Sequence, residues 1–413
     1  MRSGFRFDPP AVEVGPELRW VLWRAYGPAG EGLGGSSDLD PARALELAGL
    51  FALGARIGAR TPRDVLEAEI GAEAAGRIHD EYAAAAALCL VVGQVCREVA
   101  AAGAGLAIPM IFIKGAALQL EGTVAPGSRE MSDVDVLVPM DGLRPLQEAL
   151  IAAGCRPLDA PESEHQLQLL THRTGLGIEL HRNIPGLRVA GGKAATAGDL
   201  IAGGLCRPAP GMPEGYFVPT REVTLAHVLV HGLAQHGMAP RAYPMSRMLA
   251  DVQDLALSDE DWQRFLGAAF SWILEDVSRE EAEAVAALAR RLGAGEDPVT
   301  VARGNDPPAR LLRHLVAGAM EERYVRAMRL RNLAAHPTDG SRAGWLARVG
   351  FHALFLTDTQ IDLIYGKPRS ALGYLGRRLL RPFDLVWRAV KYGWAWGMHR
   401  SHSGDRRSRE RQN

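Results

Sequence analysis

Several signatures that name a function outright are missing. The four cysteines, Cys89, Cys96, Cys155 and Cys206, form no Cys-x-x-Cys pair. So few in 413 residues argue against a disulfide framework. Cys89 and Cys96 stand in one helical run and are expected as buried thiols on a shared face. The 46 glycines include no phosphate loop ending in Gly-Lys-Ser/Thr. Net charge is −1, so no global field draws the chain to nucleic acid or an anionic membrane. No run of about eighteen uncharged apolar residues occurs, which argues against a transmembrane helix. The opening MRSGFRFDPPAVEVG lacks an apolar secretory core, and a cytoplasmic location is expected. What remains is ordinary in bulk: 47% hydrophobic and 23% charged residues, typical of a globular chain with two or three domains.

Helical periodicity fills both ends. Segments 41-PARALELAGLFALGARI-57 and 80-DEYAAAAALCLVVGQVCREVAAAG-103 carry apolar residues at helical spacing, with Gly103 as a stop. The pattern changes at Ile108. A short apolar run, 108-IPMIFI-113, is predicted as a buried strand, followed by Lys114-Gly115 and a helix, 116-AALQLE-121, closed by Gly122. The loop 123-TVAPGSREM-131 leads into an alternating strand, 132-SDVDVLV-138. A helix with Pro145 in its first turn follows, and 165-HQLQLLTHRTGLGIELHRNI-184 is predicted as two strands joined at Thr174-Gly175. From about residue 211 the chain is helical again. Thr220 can cap 221-REVTLAHVLVHGLAQHG-237, and Ser258 with Asp261 makes a capping box. The expected fold is α+β and predominantly helical. It has a helical region 1–105, a small mixed-sheet core 106–210, a second helical region 211–399 and a basic disordered tail 400–413.

The chemistry is expected in the core. Residues i and i+2 of a strand share a face, so Asp133 and Asp135 lie together while Val134 and Val136 pack behind them. Two carboxylates ~4 Å apart repel by about 4 kcal/mol at an effective dielectric near 20. They need a proton, a cation or a metal, and hard ions such as Mg²⁺ prefer such oxygens. In 178-IELH-181, Glu179 and His181 also share a face. A hairpin beside the aspartate strand would make Glu179 a third carboxylate, suited to Mg²⁺ or to a general base on an acceptor hydroxyl. Lys114-Gly115 sits at a strand-to-helix junction, where glycine admits a phosphate close to the backbone. Ser128 and Arg129, just before the aspartates, could hold a triphosphate. Singly each feature has a dull explanation: a charged strand, a common strand exit, a solvent-facing glutamate. Their order and context together are specific.

The elements IKG, SREMSDVDVLV and IELH resemble the polymerase-β-like nucleotidyltransferase superfamily, in particular a poorly characterised bacterial branch with Lys-Gly, then Arg and Asp-x-Asp, then Glu-Leu-His. The motifs cover about residues 110–185. The resemblance implies that Asp133, Asp135 and Glu179 bind Mg²⁺ (or Mn²⁺) and are catalytic. It also implies that Lys114, Gly115 and Arg129 sit by the triphosphate of an NTP, ATP being the expected donor. The chain departs from most of the superfamily in having Lys-Gly for Gly-Gly or Gly-Ser and a longer gap between Gly115 and Asp133. The acceptor stays open: a protein side chain, an RNA end, a sugar or a small molecule, with His181 as an acceptor-side candidate. Two rivals stand beside this: a metal-dependent glycosyltransferase using Asp-x-Asp, and a non-catalytic binding module on the same fold.

Other features are expected to be structural. His227, His231 and His236 lack the partners of a zinc site and are expected to line an acceptor groove or pack on the core. Asp251 and Asp254 could mark the same groove or be exposed helix charges, and exposure is preferred. The run 373-GYLGRRLLRPFDLVWRAVKYGWAWGMHR-400 could lie on a membrane surface or partner. A core-packing helix broken at Pro382 is preferred.

Overall fold

A computed structural model describes residues 9–32, 39–158, 162–163, 165–189, 194–235, 245–267, 277–321, 324, 361, 370, 372–384 and 386–387. His236 and residues 388–413, which include the end of the aromatic run and the tail, lie outside them. The chain divides into two compact units, residues 1–157 with 162–319, and 158–161 with 320–413.

The first unit opens with helices α1 (Pro16–Tyr26), α2 (Pro41–Leu50), α3 (Gly54–Arg60) and α4 (Arg63–Ala104). Then follow β1 (Met110–Ile113), α5 (Lys114–Leu120), β2 (Asp133–Leu137), α6 (Leu143–Ala152), β3 (Arg156–Pro157), β4 (Leu170–Thr171) and β5 (Gly177–His181). A small second sheet pairs β6 (Ile184–Arg188) with β7 (Ala194–Ala195). After α7 (Ala197–Ala202), β8 (Cys206–Pro208) and β9 (Tyr216–Pro219), the chain returns to helix. These are α8 (Arg221–Leu229), a π-helical turn (Val230–Gln235), α9 (Met245–Asp254), α10 (Asp259–Gly267), α11 (Arg279–Gly293), α12 (Pro298–Arg303) and α13 (Pro307–Met320). The result is α+β and predominantly helical, as expected.

Seven strands form one mixed sheet in the order β3-β4-β5-β2-β1-β9-β8. Strand β1 is buried along its whole length, which its unbroken apolar run requires. Met110 and Phe112 join Val134, Val136 and Val138 in a core with Val92, Val95 and Val99 of α4 and Leu146 and Leu150 of α6. Ile111, Ile113 and Leu137 face a second core, shared with α1–α3 and the helices from α8 onward. Period-2 alternation then puts Asp133 and Asp135 on the Leu137 side, toward the C-terminal helices. That choice of face decides which helices can wall the site.

Local signals explain the boundaries. Pro145 falls in the first turn of α6, where its missing N–H costs nothing. Gly175, at φ +91°, makes the turn between β4 and β5. The capping box forms before α10: Ser258 N–H donates to Asp261 Oδ2 at 3.1 Å, and Asp261 N–H returns to Ser258 Oγ at 3.1 Å. Helix α4 breaks at Gly71 (φ +80°). Among the described residues it is the one helix long and apolar enough to cross a membrane by length and composition, with 39% of that window buried. Cys89 and Cys96 of α4 are buried free thiols.

Helices α3 and α4 meet at Gly58, where a Cβ would lie 2.8 Å from Tyr82 Cβ and 3.0 Å from the Ile78 carbonyl oxygen. Gly58→Ala is therefore expected to part the helices and destabilise the protein by about 1–3 kcal/mol. Urea unfolding measures this, and wild-type stability in the variant would refute the close packing.

In the second unit a helical run spans 372–384 and continues through Pro382, with Arg381 pairing with Asp384 at 2.8 Å across it. The proline does not break this run. Phe383 and Trp387 are 73% and 68% exposed, so the expected core-packing face is corrected for the described part.

Candidate active site

Four side chains converge where β1, β2 and β5 lie side by side. Strand β2 pairs antiparallel with β1, setting Ile113 opposite Asp135. It pairs parallel with β5, setting Asp135 opposite Glu179. The chain leaves β1 through Lys114 at φ +53°, a left-handed conformation costly for a lysine and typical of functional positions. Lys114 Nζ donates to Asp135 Oδ1 at 2.6 Å and stands 3.8 Å from Glu179 Oε2. His181 Nε2 reaches the same Asp135 oxygen at 2.8 Å and lies 3.3 Å from Glu179 Oε2.

The electrostatics separate the two aspartates. Burial alone would raise Asp135, but the Lys114 charge and the His181 hydrogen bond hold it well below the usual carboxylate range. Asp133 has no such partner. Burial, then repulsion from Asp135 and Glu179, pushes it up to about 6. Lys114 and His181 are both raised: burial opposes their charge, and the surrounding carboxylates outweigh it.

Asp135, Glu179 and His181 bring three possible ligand atoms within 4.8 Å of one another. The residues present fit a divalent cation, because the Lys114 ammonium already stands in for one on both carboxylates. His181, expected on the acceptor side, is thus part of the trio, and Asp133 lies beside it on the same face. Oxygen-rich donors suit Mg²⁺ or Mn²⁺.

Arg129 lies over the start of α5. Its Nε bonds Asp251 Oδ1 at 2.9 Å, and its Nη2 reaches Oδ2 at 3.3 Å. A Cβ on Gly115 would collide with Arg129 Nη1 and stand 3.1 Å from Met131 Sδ. The glycine is needed for the guanidinium to approach. Ser128 turns away: its hydroxyl donates to the Ala125 carbonyl at 2.8 Å, and it does not line the cavity.

Both C-terminal aspartates depart from expectation. Asp251 is 2% exposed, and Asp254 pairs with Arg56 at 2.7 Å. Asp251 sits three residues after Met248 and four before Leu255, both buried. That places it on the apolar stripe of its helix, the signal by which its burial could have been found.

A cavity of about 400 Å³ opens over the carboxylates and is lined by Lys114, Gly115, Arg129, Asp133, Asp135 and Glu179. The lining also includes Thr224, His227, His231 and Arg247, of which Thr224 and Arg247 carried no sequence signal. The His227 and His231 rings meet edge-on at 6.0 Å. Burial first, then nearby Lys114, drives His227 down to about 3, so its imidazole stays neutral.

The model of the uncharacterised nucleotidyltransferase family matches residues 37–290. The chain belongs to that family. Every residue that lines the cavity falls inside the matched span, so the candidate site of this nucleotidyltransferase lies wholly within the family's region. No curated protein and no solved structure matches it.

Proposed function

We propose that this nucleotidyltransferase moves a nucleoside monophosphate from an NTP, with ATP as the expected donor, onto an acceptor in a reaction that needs Mg²⁺ or Mn²⁺. The observation that carries it is the meeting of Asp135, Glu179 and His181 around the Lys114 ammonium, at the floor of a cavity whose other charged wall is Arg129 over Gly115. Asp135 and Glu179, with Asp133 or His181, would hold the cation. When bound, it neutralises charge on the triphosphate and the departing pyrophosphate. Lys114 is released from Asp135 to the phosphates as that charge is met from elsewhere, and Arg129 contributes from the opposite side. The protein's share is positioning and preorganised charge. The same arrangement favours the polymerase-β-like superfamily as the wider kinship. A glycosyltransferase use of Asp133 and Asp135 gains no support, since helices α1–α4 stand where such enzymes carry a nucleotide-binding α/β half.

Two measurements test this. Calorimetry should show a non-hydrolysable ATP analogue binding in the presence of Mn²⁺ and not in EDTA; no binding in either condition sinks the proposal. Incubation with each α-labelled NTP and a lysate of the source cells should label an acceptor. Label that persists in the Asp133→Ala, Asp135→Ala double variant would refute the catalytic assignment.

A further inference from the structure

In the second unit, the helical run 372–384, with helical residues 386–387 beyond it, is amphipathic in an inverted sense. Leu372, Leu375, Leu379, Phe383, Val386 and Trp387 recur every three or four residues, with the last two adjacent. At 3.6 residues per turn they make one stripe along the helix. All six are between 50% and 79% exposed, and Leu380 beside them is 62% exposed. Arg381 falls on the opposite arc, is buried, and pairs with Asp384 at 2.8 Å. The helix thus turns a charged residue inward and its apolar stripe outward, an arrangement that water penalises. A contiguous apolar patch on a surface marks a place where something else binds.

Charge and aromatic content say what that something is. From 370 to 400 the sequence holds six Lys or Arg and one acidic residue, Asp384. The net charge of −1 for the whole chain hides this concentration, because acidic residues elsewhere offset it. Three of the eight tryptophans, Trp387, Trp394 and Trp396, stand within ten residues, with Lys391 among them. Tryptophan favours the boundary between lipid headgroups and acyl chains, and clustered basic residues favour anionic headgroups. A second copy of this segment fits less well, since it would set two strongly positive stretches against each other.

We infer that the stripe from Leu372 to Trp387 is a membrane-surface anchor whose partner is an anionic lipid bilayer. The helix lies along the interface, with Leu379, Phe383 and Trp387 sunk about 5–10 Å into the headgroup boundary. Arg377 and Arg378 flank the stripe on its two sides and are exposed, placed to meet lipid phosphates. The run does not span the bilayer, because Arg377, Arg378, Arg381 and Asp384 interrupt it. This inference is independent of the nucleotidyl-transfer reading.

Flotation of the full chain with lipid vesicles tests it. Mixed phosphatidylcholine–phosphatidylglycerol vesicles should carry the protein upward. Pure phosphatidylcholine should bind it about tenfold more weakly, and salt at about 0.5 M should weaken binding to the mixed vesicles. Leu379→Gln with Phe383→Gln should lower binding about tenfold or more, since two large apolar side chains no longer leave water. Both residues are exposed, so these substitutions empty no core. Trp387→Gln is a second variant should the pair perturb folding, and a loss of about fivefold is expected. Equal binding to both kinds of vesicle would refute the anionic partner. Wild-type binding by the variants would remove the stripe from the contact. If nothing floats and sedimentation shows a dimer that the variants dissolve, a second copy covers the face. If nothing floats and the protein is a monomer, the face belongs to a protein partner. Each of these four results overturns the inference.

Discussion

Asp135→Asn should lower nucleotidyl transfer by about three orders of magnitude, the scale expected when a preorganised charge at the reacting centre is removed. The substitution keeps volume and one oxygen, so the core beneath is undisturbed. It removes the negative charge on which Lys114 and His181 both converge, at 2.6 and 2.8 Å. Glu179 then becomes the nearest carboxylate to Lys114, at 3.8 Å, and the ammonium shifts toward it. Mn²⁺ affinity, read by calorimetry, should fall with activity. Melting in EDTA separates this from unfolding. Breaking one partner of a buried pair costs stability on the order of 3 kcal/mol, so a lower melting temperature with a single cooperative transition is expected. A variant that retains activity within about tenfold and binds Mn²⁺ as wild type does would remove Asp135 from the site.

Much of this centre is written locally. Valines alternating with Asp133 and Asp135 force a strand with one charged face, and the turn at Thr174-Gly175 delivers Glu179 and His181 as a neighbouring strand. The parallel pairing of β2 with β5, which sets Asp135 against Glu179, follows once that hairpin is placed. What could not be read is the part contributed from far along the chain. Asp251 meets Arg129 across 122 positions, and pattern within either segment says nothing about that meeting. The same holds for Thr224, which lines the cavity from α8 with no motif around it. The charged face of β2 had to be covered by something, and α8 and α9 were visible only as ordinary amphipathic helices. Ser128 shows the converse: adjacency to Arg129 in sequence suggested a shared ligand, yet its hydroxyl closes a local turn on Ala125.

Asp133 carries the second prediction, in which the site's chemistry works against its stability. Its folded-state pKa is about 6, above the ordinary 3.8. A carboxyl raised in this way binds its proton more tightly when folded, so ionising it costs the folded state. The penalty is absent below the unfolded value of 3.8, grows as pH rises toward 6, and is complete above it. That difference corresponds to about 3 kcal/mol. In EDTA, Asp133→Asn should therefore be more stable than wild type by up to this amount at about pH 8, and equal to it near pH 4. Adding Mn²⁺ should reverse the order. The cation relieves the repulsion among Asp133, Asp135 and Glu179, so wild type gains stability above pH 6, and that gain fades below it as a proton competes. The asparagine variant should gain less. Urea melts across this pH range, with and without Mn²⁺, read both effects. A variant less stable than wild type at the alkaline end in EDTA would show that Asp133 is a structural partner rather than a carboxylate held ready for a cation.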